Sequence, residues 1–506
     1  MCGIIGVVSR PPTRGVPSAE NLLGGLDTAL DARPDLVAVA EAIRVVDRAL
    51  LGVPGVRALI GAPDLVAGLS ARLDELEVFA AGREAELDDE PGALTADELE
   101  RENARLIAVK DALWAIRHDR FRTAREVEAL AGRDARPQVL AAYLVAQQAF
   151  SALDRLEVRG RDSAGIHLFV WQHDIDTGTL PAMLDERIDP LFESRSVVAT
   201  DGAAGSVLSF VYKRAAEVGE LGDNTAVLRS ALASDDVFRR AVESPDARVA
   251  LVGHTRWASV GIISEPNAHP VNSVEMETPG GAPPPYVVAA LNGDVDNHGD
   301  LRIEHGLRIA GPITTDAKVI PTIAARHLAD GLEPVEAFRR TVGDFEGSVA
   351  IAAMSADEPG RLLVALRGSG QGLYVGLADD CYVVASEPYG VVEETDRYVR
   401  MDGESGGEII ALSADDGGEL AGVFRCSYDG AALPLSVAEV VTAEVTTRDI
   451  DRGDAPHFLL KEISESPSSF AKTLRGKVLT GPDGRLRAAV GDRALPGDIA
   501  AALADG

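Results

Sequence analysis

The chain has 506 residues, room for roughly three domains of about 150 residues and for a core that needs no disulfide or metal staple. Its 46% hydrophobic and 25% charged residues are ordinary for a soluble protein, but 80 acids against 49 bases leave a net charge of −31. That excess argues against a nucleic-acid backbone or an anionic membrane as partner, and no run approaches the ~18 apolar residues of a membrane span.

In chain order, Met1 to Val8 reads as a short buried strand, and residues 10–18, with Pro11, Pro12, Gly15 and Pro17, as a loop. Residues 18–137 then read as helical. Leu36, Val39, Ile43, Val46 and Leu50 form one amphipathic stripe, and Leu65, Leu69, Leu73 and Leu76 a second. An acid-rich break at Asp88, Asp89, Glu90, Pro91 and Gly92 precedes a third, Leu99, Leu106, Val109, Leu113 and Ile116. Thr95 with Glu98 makes a capping box at its start. A further helix over 138–156 runs into the tight Arg159-Gly160-Arg161-Asp162.

From 163 to 440 the pattern changes to short β-rich runs, at 166–171, 249–253, 287–291, 348–353, 362–366, 373–377 and 382–385, with helices predicted over 317–328 and 334–341. Residues 172–205 and 274–285 read as loops. Segregated runs of strand and helix predict an α+β protein in place of a parallel doubly wound sheet. The tail, 441–506, reads as helical over 459–474 and is short for a further domain.

Three cysteines, Cys2, Cys381 and Cys426, cannot build a disulfide framework, and none stands in a C-x-x-C pair. A reducing, cytoplasmic setting is expected, and no basic segment of a secretory signal precedes the first apolar run. The nine histidines form no H-x-x-x-H or Cys/His cluster, so neither a metal site nor a cofactor is expected. The Gly368–Gly372 run lacks the Gly-Lys-Ser/Thr of a phosphate loop and reads as a turn.

Cys2 directly follows the initiator Met. Removal of Met1 would leave a thiol and a free α-amine on one residue. That amine, with a pKa of about 7.7–8.0, can accept the proton of a thiol near 8.5, so nucleophile and base need no histidine. Cys2 alone could equally be a strand residue that happens to be second. Other words in the chain give it company: Gly253-His254-Thr255-Arg256-Trp257-Ala258-Ser259, Asn267-Ala268-His269-Pro270, Leu291-Asn292-Gly293 and Thr314-Thr315-Asp316.

Together with Cys2-Gly3-Ile4-Ile5-Gly6 and Leu156-Glu157-Val158-Arg159-Gly160-Arg161-Asp162-Ser163-Ala164-Gly165, these segments resemble the glutaminase domain of class II glutamine amidotransferases, which are N-terminal-nucleophile hydrolases. The nearest resemblance is to glutamine–fructose-6-phosphate aminotransferases (isomerising), the glucosamine-6-phosphate synthases. It implies a four-layer αββα sandwich; the helical stretch 18–137 departs from it, as a large insertion that the family pattern lacks. It implies that the glutaminase domain covers 1–10 and 138–440, that 18–137 is the insertion, and that 441–506 is a linker toward a sugar-phosphate isomerase half.

The resemblance also assigns roles. Cys2 matches the nucleophile that takes the γ-glutamyl group from L-glutamine and releases ammonia. Asn292 and Gly293 match the oxyanion hole, where one donor is worth ~10²–10³ in rate. Arg256 matches the grip on the substrate α-carboxylate and Asp316 the anchor of its α-ammonium. Ser259 keeps the hydroxyl of a usual Thr, whereas Val260 replaces a usual His. Arg159 and His269 fall in glutamine-site segments, and Trp257 matches a residue at the mouth of an ammonia passage.

Plainer readings stand beside these. Asn292-Gly293 is also a good turn dipeptide, Asp316 could cap the helix that follows it, Arg256 could pair with a neighbouring carboxylate, Trp257 could be core packing, and His254 reads as structural. Lys461-Glu462 resembles the junction between the family's two halves, after which the isomerase half is missing. The chain is expected to be a fragment, or to work with a partner chain, as a homo-oligomer with an ammonia acceptor such as fructose 6-phosphate. Alternatives are another class II amidotransferase of the phosphoribosyl-pyrophosphate type, an amide hydrolase of the same nucleophile class, or a degenerate scaffold that binds partners through its helical insertion.

Overall fold

A computed structural model describes residues 2–89, 94–176, 187–202, 205–216, 220–276, 284–480, 483–489, 491 and 495–504. The chain forms two compact units. One comprises Met1–Gly15, Gly52–Arg57 and Thr123–Thr446, and the other Val16–Leu51, Ala58–Arg122 and Thr447–Gly506. Among the described residues no helix is long and apolar enough to cross a membrane.

The first unit carries two antiparallel sheets. Its strands are β1 (Gly3–Ser9), β2 (Ser163–Trp171), β3 (Val197–Gly202), β4 (Gly205–Ala215), β5 (Arg248–Arg256), β6 (Val271–Asn272), β7 (Val287–Gly293), β8 (Val349–Ser355), β9 (Glu358–Arg367), β10 (Tyr374–Leu377), β11 (Cys381–Ala385), β12 (Arg397–Arg400), β13 (Glu408–Ser413), β14 (Val423–Ser427) and β15 (Val440–Thr442). The larger sheet runs β15-β12-β10-β11-β1-β5-β2-β4-β3 and the smaller β14-β13-β9-β8-β7-β6. Mixed helix and antiparallel sheet is the α+β class that the segregated runs predict.

The sheets share a dry core. Ile4, Val8, Phe169, Ala250 and Val252 of the larger sheet cluster with Val288, Ala290, Ala350, Ala352 and Val364 of the smaller. Alanine and glycine at facing positions let the two backbones approach: a Cβ on Gly6 would lie 2.7 Å from Leu362. The reverse face of the smaller sheet packs Leu291, Ile351 and Ala365 against Val319, Ile320, Ile323 and Phe338 of the helices Val319–Ala329 and Pro334–Gly343. The helix Pro137–Leu156 lies against β1 and β5. β1 is therefore buried on both faces, which is why it reads as a continuous apolar run.

The second unit is helical, with helices Ala19–Asp31, Leu36–Ala49, Pro63–Asp89 and Ala96–Trp114. All three stripes are buried as predicted, and the Thr95–Glu98 box is present in both directions. A π-helical segment, Ala115–Arg120, follows with no sequence signal for it. Residues of the tail join this unit: Thr447 Oγ1 donates to Asp119 at 2.5 Å and Arg448 Nε to Asp111 at 2.6 Å. The tail helix spans Phe458–Leu474.

Two readings need correction. The expected loop over 172–205 contains β3 and leads into β4, whose own Val207–Tyr212 run, rich in Val and aromatic residues, is the signal for this hairpin. The chain also forms helices Asp223–Ala233 and Asp236–Ala241 that were not anticipated. Parts of the loops predicted at 172–205 and 274–285, and of the acid-rich break, lie outside the described residues.

Candidate active site

The register of the larger sheet decides where Cys2 lies. β1 pairs with β5 so that Gly3 faces Thr255, and one step further brings Cys2 to Arg256 at the end of β5. There Trp257 N donates to Cys2 Sγ at 3.2 Å, and the thiol can donate to Trp257 O at 3.4 Å. The thiol is half-buried. Burial pushes its pKa up, while the Trp257 N–H and the Arg256 charge pull it back toward thiolate.

The turn ahead of β2 fixes that backbone. Asp162 N donates to Arg256 O at 3.1 Å, and Asp162 Oδ2 accepts from Ala258 N at 2.8 Å. Only glycine fits at 160, because a Cβ there would lie 2.5 Å from the Arg256 carbonyl carbon and 2.6 Å from Trp257 N. Arg159 pairs with Glu387 and reaches Ser386 O, beneath the start of β1, where Ser386 Oγ accepts from Ile4 N at 3.1 Å.

From the smaller sheet, Asn292 and Gly293 close β7. Asn292 Nδ2 donates to the Cys2 carbonyl at 3.0 Å, crossing from one sheet to the other. Gly293 has φ +92°, and a Cβ would lie 1.9 Å from Ser348 O, so no other residue can replace it. The pair ends a strand in place of forming a two-residue hairpin turn.

Two charged side chains complete the site. Arg256 is 3% exposed, and its guanidinium donates to the carbonyls of Ile262, at 3.3 Å, and Val260. Among the described residues it forms no ion pair, so the reading of a pair with a neighbouring carboxylate does not hold. Asp316 is 4% exposed, accepts from Val295 N at 2.9 Å, and likewise has no cation in an ion pair among the described residues. Burial pushes the Asp316 carboxyl up, and the Asp294 charge adds to this. Thr315, not Asp316, is the N-cap of the 3₁₀ turn Asp316–Lys318 that opens the next helix.

The Asn267-Ala268-His269 segment scaffolds Asp316. Asn267 Oδ1 accepts from Thr314 N at 2.7 Å and Thr315 N at 2.9 Å, and His269 Nε2 lies 3.0 Å from Thr315 Oγ1. Ser259 Oγ donates to Asp294 Oδ1 at 2.8 Å. Trp257 is 60% exposed, so it is not core packing. The structure thus brings Cys2 to Arg256 and to Asn292, and holds Asp316 on Val295 N, two residues beyond Gly293. Sequence reasoning missed the bracing by Asp162, Asn267 and Asp294. Among the described residues no group of three or more His, Cys, Asp or Glu could hold a metal ion.

Comparison with known proteins gives several relatives that share a name. The chain is 30% identical over 230 residues to the glutamine–fructose-6-phosphate aminotransferase (isomerizing) of Bacillus cereus strain ATCC 10987, covering 46% of this chain and 34% of that one. It is 31% identical over 268 residues to the enzyme of the same name from Bacillus subtilis strain 168 (53% of this chain, 39% of the relative) and 32% identical over 216 residues to that of Halalkalibacterium halodurans (43% and 32%). The chain therefore spans between about a third and two fifths of these relatives. No protein-family model matches it. Among solved structures, a glutamine phosphoribosylpyrophosphate amidotransferase from B. subtilis, complexed with ADP and GMP, aligns with a TM-score of 0.35 at 18% identity, over 56% of this chain and 46% of that one. A likeness at that level carries no argument.

Proposed function

We propose that this chain hydrolyses L-glutamine to glutamate and ammonia through a γ-glutamyl thioester on Cys2. The observation that carries the reading is a buried Arg256 beside the Cys2 thiol and a buried Asp316 just past the end of β7, neither in an ion pair among the described residues. Arg256 and Asp316 are complementary to the carboxylate and ammonium of an α-amino acid, whose side chain then reaches Cys2.

In the first step the α-amine of Cys2, freed by removal of Met1, takes the thiol proton, and Sγ attacks the glutamine carboxamide carbon. The carbonyl oxygen becomes an oxyanion, met by Asn292 Nδ2–H and Gly293 N–H. The tetrahedral intermediate collapses, the C–N bond breaks, and the amine returns its proton to the leaving nitrogen as ammonia departs. Water, deprotonated by the same amine, then attacks the thioester and releases glutamate with the thiol restored. His269 and Ser259 shape the glutamine pocket, Arg159 supports it from beneath β1, and Trp257 borders the path by which ammonia leaves.

The fold reading that goes with this is the four-layer N-terminal-nucleophile hydrolase sandwich. We assign the glutaminase domain to residues 1–10 and 138–440, a helical insertion to 18–137, and to 441–506 the linker toward a sugar-phosphate isomerase half, in this or a partner polypeptide. The relatives' name supports fructose 6-phosphate as the ammonia acceptor; a cytoplasmic homo-oligomer is part of the same proposal. The test is ammonia release from glutamine by the wild-type chain and by Cys2→Ala, with intact mass to locate Met1. Loss of turnover in the variant, with Met1 absent from active protein, is expected. Unchanged release by Cys2→Ala would end the assignment.

A further inference from the structure

His254 lies beneath the oxyanion residues without reaching the thiol. It is fully buried on β5, and its Nε2 is 2.9 Å from Leu291 O and 3.0 Å from Asn292 Oδ1. A backbone carbonyl can only accept, so the imidazole proton resides on Nε2. Burial and the neighbouring Arg256 charge hold the ring neutral. Its Nδ1 has no hydrogen-bond partner among the described residues, so the ring is committed to this one edge. His269, with its ring centroid 4.6 Å away, borders the other side of the same strand end through Leu291.

This arrangement settles which way the Asn292 amide points. With Oδ1 toward His254, Nδ2 is free to donate toward the Cys2 carbonyl at 3.0 Å. The flipped amide would set an N–H donor against the His254 Nε2–H and an oxygen against the Cys2 carbonyl oxygen, two repulsive contacts in a buried site. We propose that His254 is the positioning residue of the oxyanion hole: its Nε2–H locks the Asn292 carboxamide with Nδ2 turned toward Cys2. The inference rests on the glutaminase reading above and deepens it.

The test measures kcat and KM for glutamine in the full chain for His254→Phe, His254→Gln, Asn292→Ala and the double variants. His254→Phe keeps the ring and loses the donor. It is expected to lower kcat by about 10–100-fold, part of the effect of losing an oxyanion donor, with KM within about threefold. His254→Gln, whose amide nitrogen reaches the Nε2 position, is expected to recover most of kcat. In the Asn292→Ala background His254→Phe should add less than about threefold, because its effect passes through the missing amide. A second readout is binding of glutamate γ-semialdehyde, whose aldehyde carbon accepts the Cys2 sulfur to give a thiohemiacetal with its oxygen in the hole. His254→Phe should weaken it in step with kcat while leaving binding of glutamate unchanged.

A His254→Phe enzyme with wild-type kcat overturns the proposal, as does an effect that multiplies fully with Asn292→Ala, or a Gln variant as poor as Phe. Should the Phe variant fail to fold, His254→Asn against His254→Gln decides: Asn places its donor short of Asn292, and equal activity of the two contradicts the proposal. No glutamine turnover by the wild-type chain would overturn the glutaminase reading itself, whereas turnover indifferent to position 254 overturns only this one.

Discussion

Asp316 lies close enough for its charge to act on Arg256, yet among the described residues neither of the two, 4% and 3% exposed, forms an ion pair. Each is held by backbone groups, Arg256 by the carbonyls of Val260 and Ile262 and Asp316 by Val295 N. A fold optimised for stability alone would join these charges or omit them, because burying either uncompensated is costly. On the proposed reading they are held apart to receive the carboxylate and ammonium of an α-amino acid.

Removing either charge should therefore separate binding from stability. Arg256→Met and Asp316→Asn are each expected to raise KM for glutamine by at least about tenfold, since a charge-assisted contact contributes about 1.5–3 kcal/mol. Both should leave Tm unchanged or higher, as replacing buried charge by a neutral group of similar size does. Steady-state kinetics and a thermal melt on the same samples check this. A fall in Tm with KM unchanged would mean the charges serve the fold.

Gly160 governs the thiol from a distance. A methyl group there would press on the Arg256–Trp257 peptide and shift the Trp257 N–H that stabilises Cys2 Sγ at 3.2 Å. Gly160→Ala is expected to slow both ammonia release and alkylation of Cys2 by iodoacetamide by about tenfold, the rough worth of one weakened hydrogen bond to a charged group. Equal alkylation rates in the two proteins across pH 6–9 would show that the turn does not tune the sulfur.

Much of this site was readable in the sequence because each part is a local word: Cys2, the Arg256 segment, Asn292-Gly293 and Thr315-Asp316. The amphipathic stripes of the helical unit were equally plain, since periodicity is a local property. What bound the words together was not readable. The meeting of Cys2 with Arg256 depends on the β1–β5 register across some 250 residues, and that of Cys2 with Asn292 on two sheets packing face to face. β3 escaped notice because its short Val197–Gly202 run sits on an edge and alternates weakly. The contacts of His254, Asn267 and Asp162 are three-dimensional, and nothing in their residue type announces them.

Histidine burial predicts an acid weakness. His167 and His254 are fully enclosed, and burial pulls both from 6.5 down to about 3. Below pH 6.5 the unfolded chain takes up protons that these folded histidines refuse, so each contributes stability that is present above pH 6.5 and is lost as pH falls toward 3. The cost is at most about 1.4 kcal/mol per pH unit for each ring. Replacing one isolates it: His167→Gln should become more stable relative to wild type as pH drops from 7 to 5, by denaturant midpoint. A difference independent of pH would contradict this.

Lys213 tests the same physics on a buried amine. Its side chain is 1% exposed, Nζ has no hydrogen-bond partner among the described residues, and it lies 4.7 Å from the Phe192 ring centroid. Burial draws its pKa down to about 7. Lys213→Met keeps the aliphatic stem and removes the orphan amine, with an expected gain of about 1–3 kcal/mol and unaltered glutamine kinetics. A loss of stability would show that the amine is satisfied.

The central claim is most directly tested by trapping the intermediate. Active protein mixed with glutamine, quenched in acid and digested should yield a γ-glutamyl thioester on the peptide that begins at Cys2, with Met1 absent. The adduct should vanish in Cys2→Ala. Turnover of glutamine with no adduct on that peptide, or with the acyl group on another residue, would contradict the account.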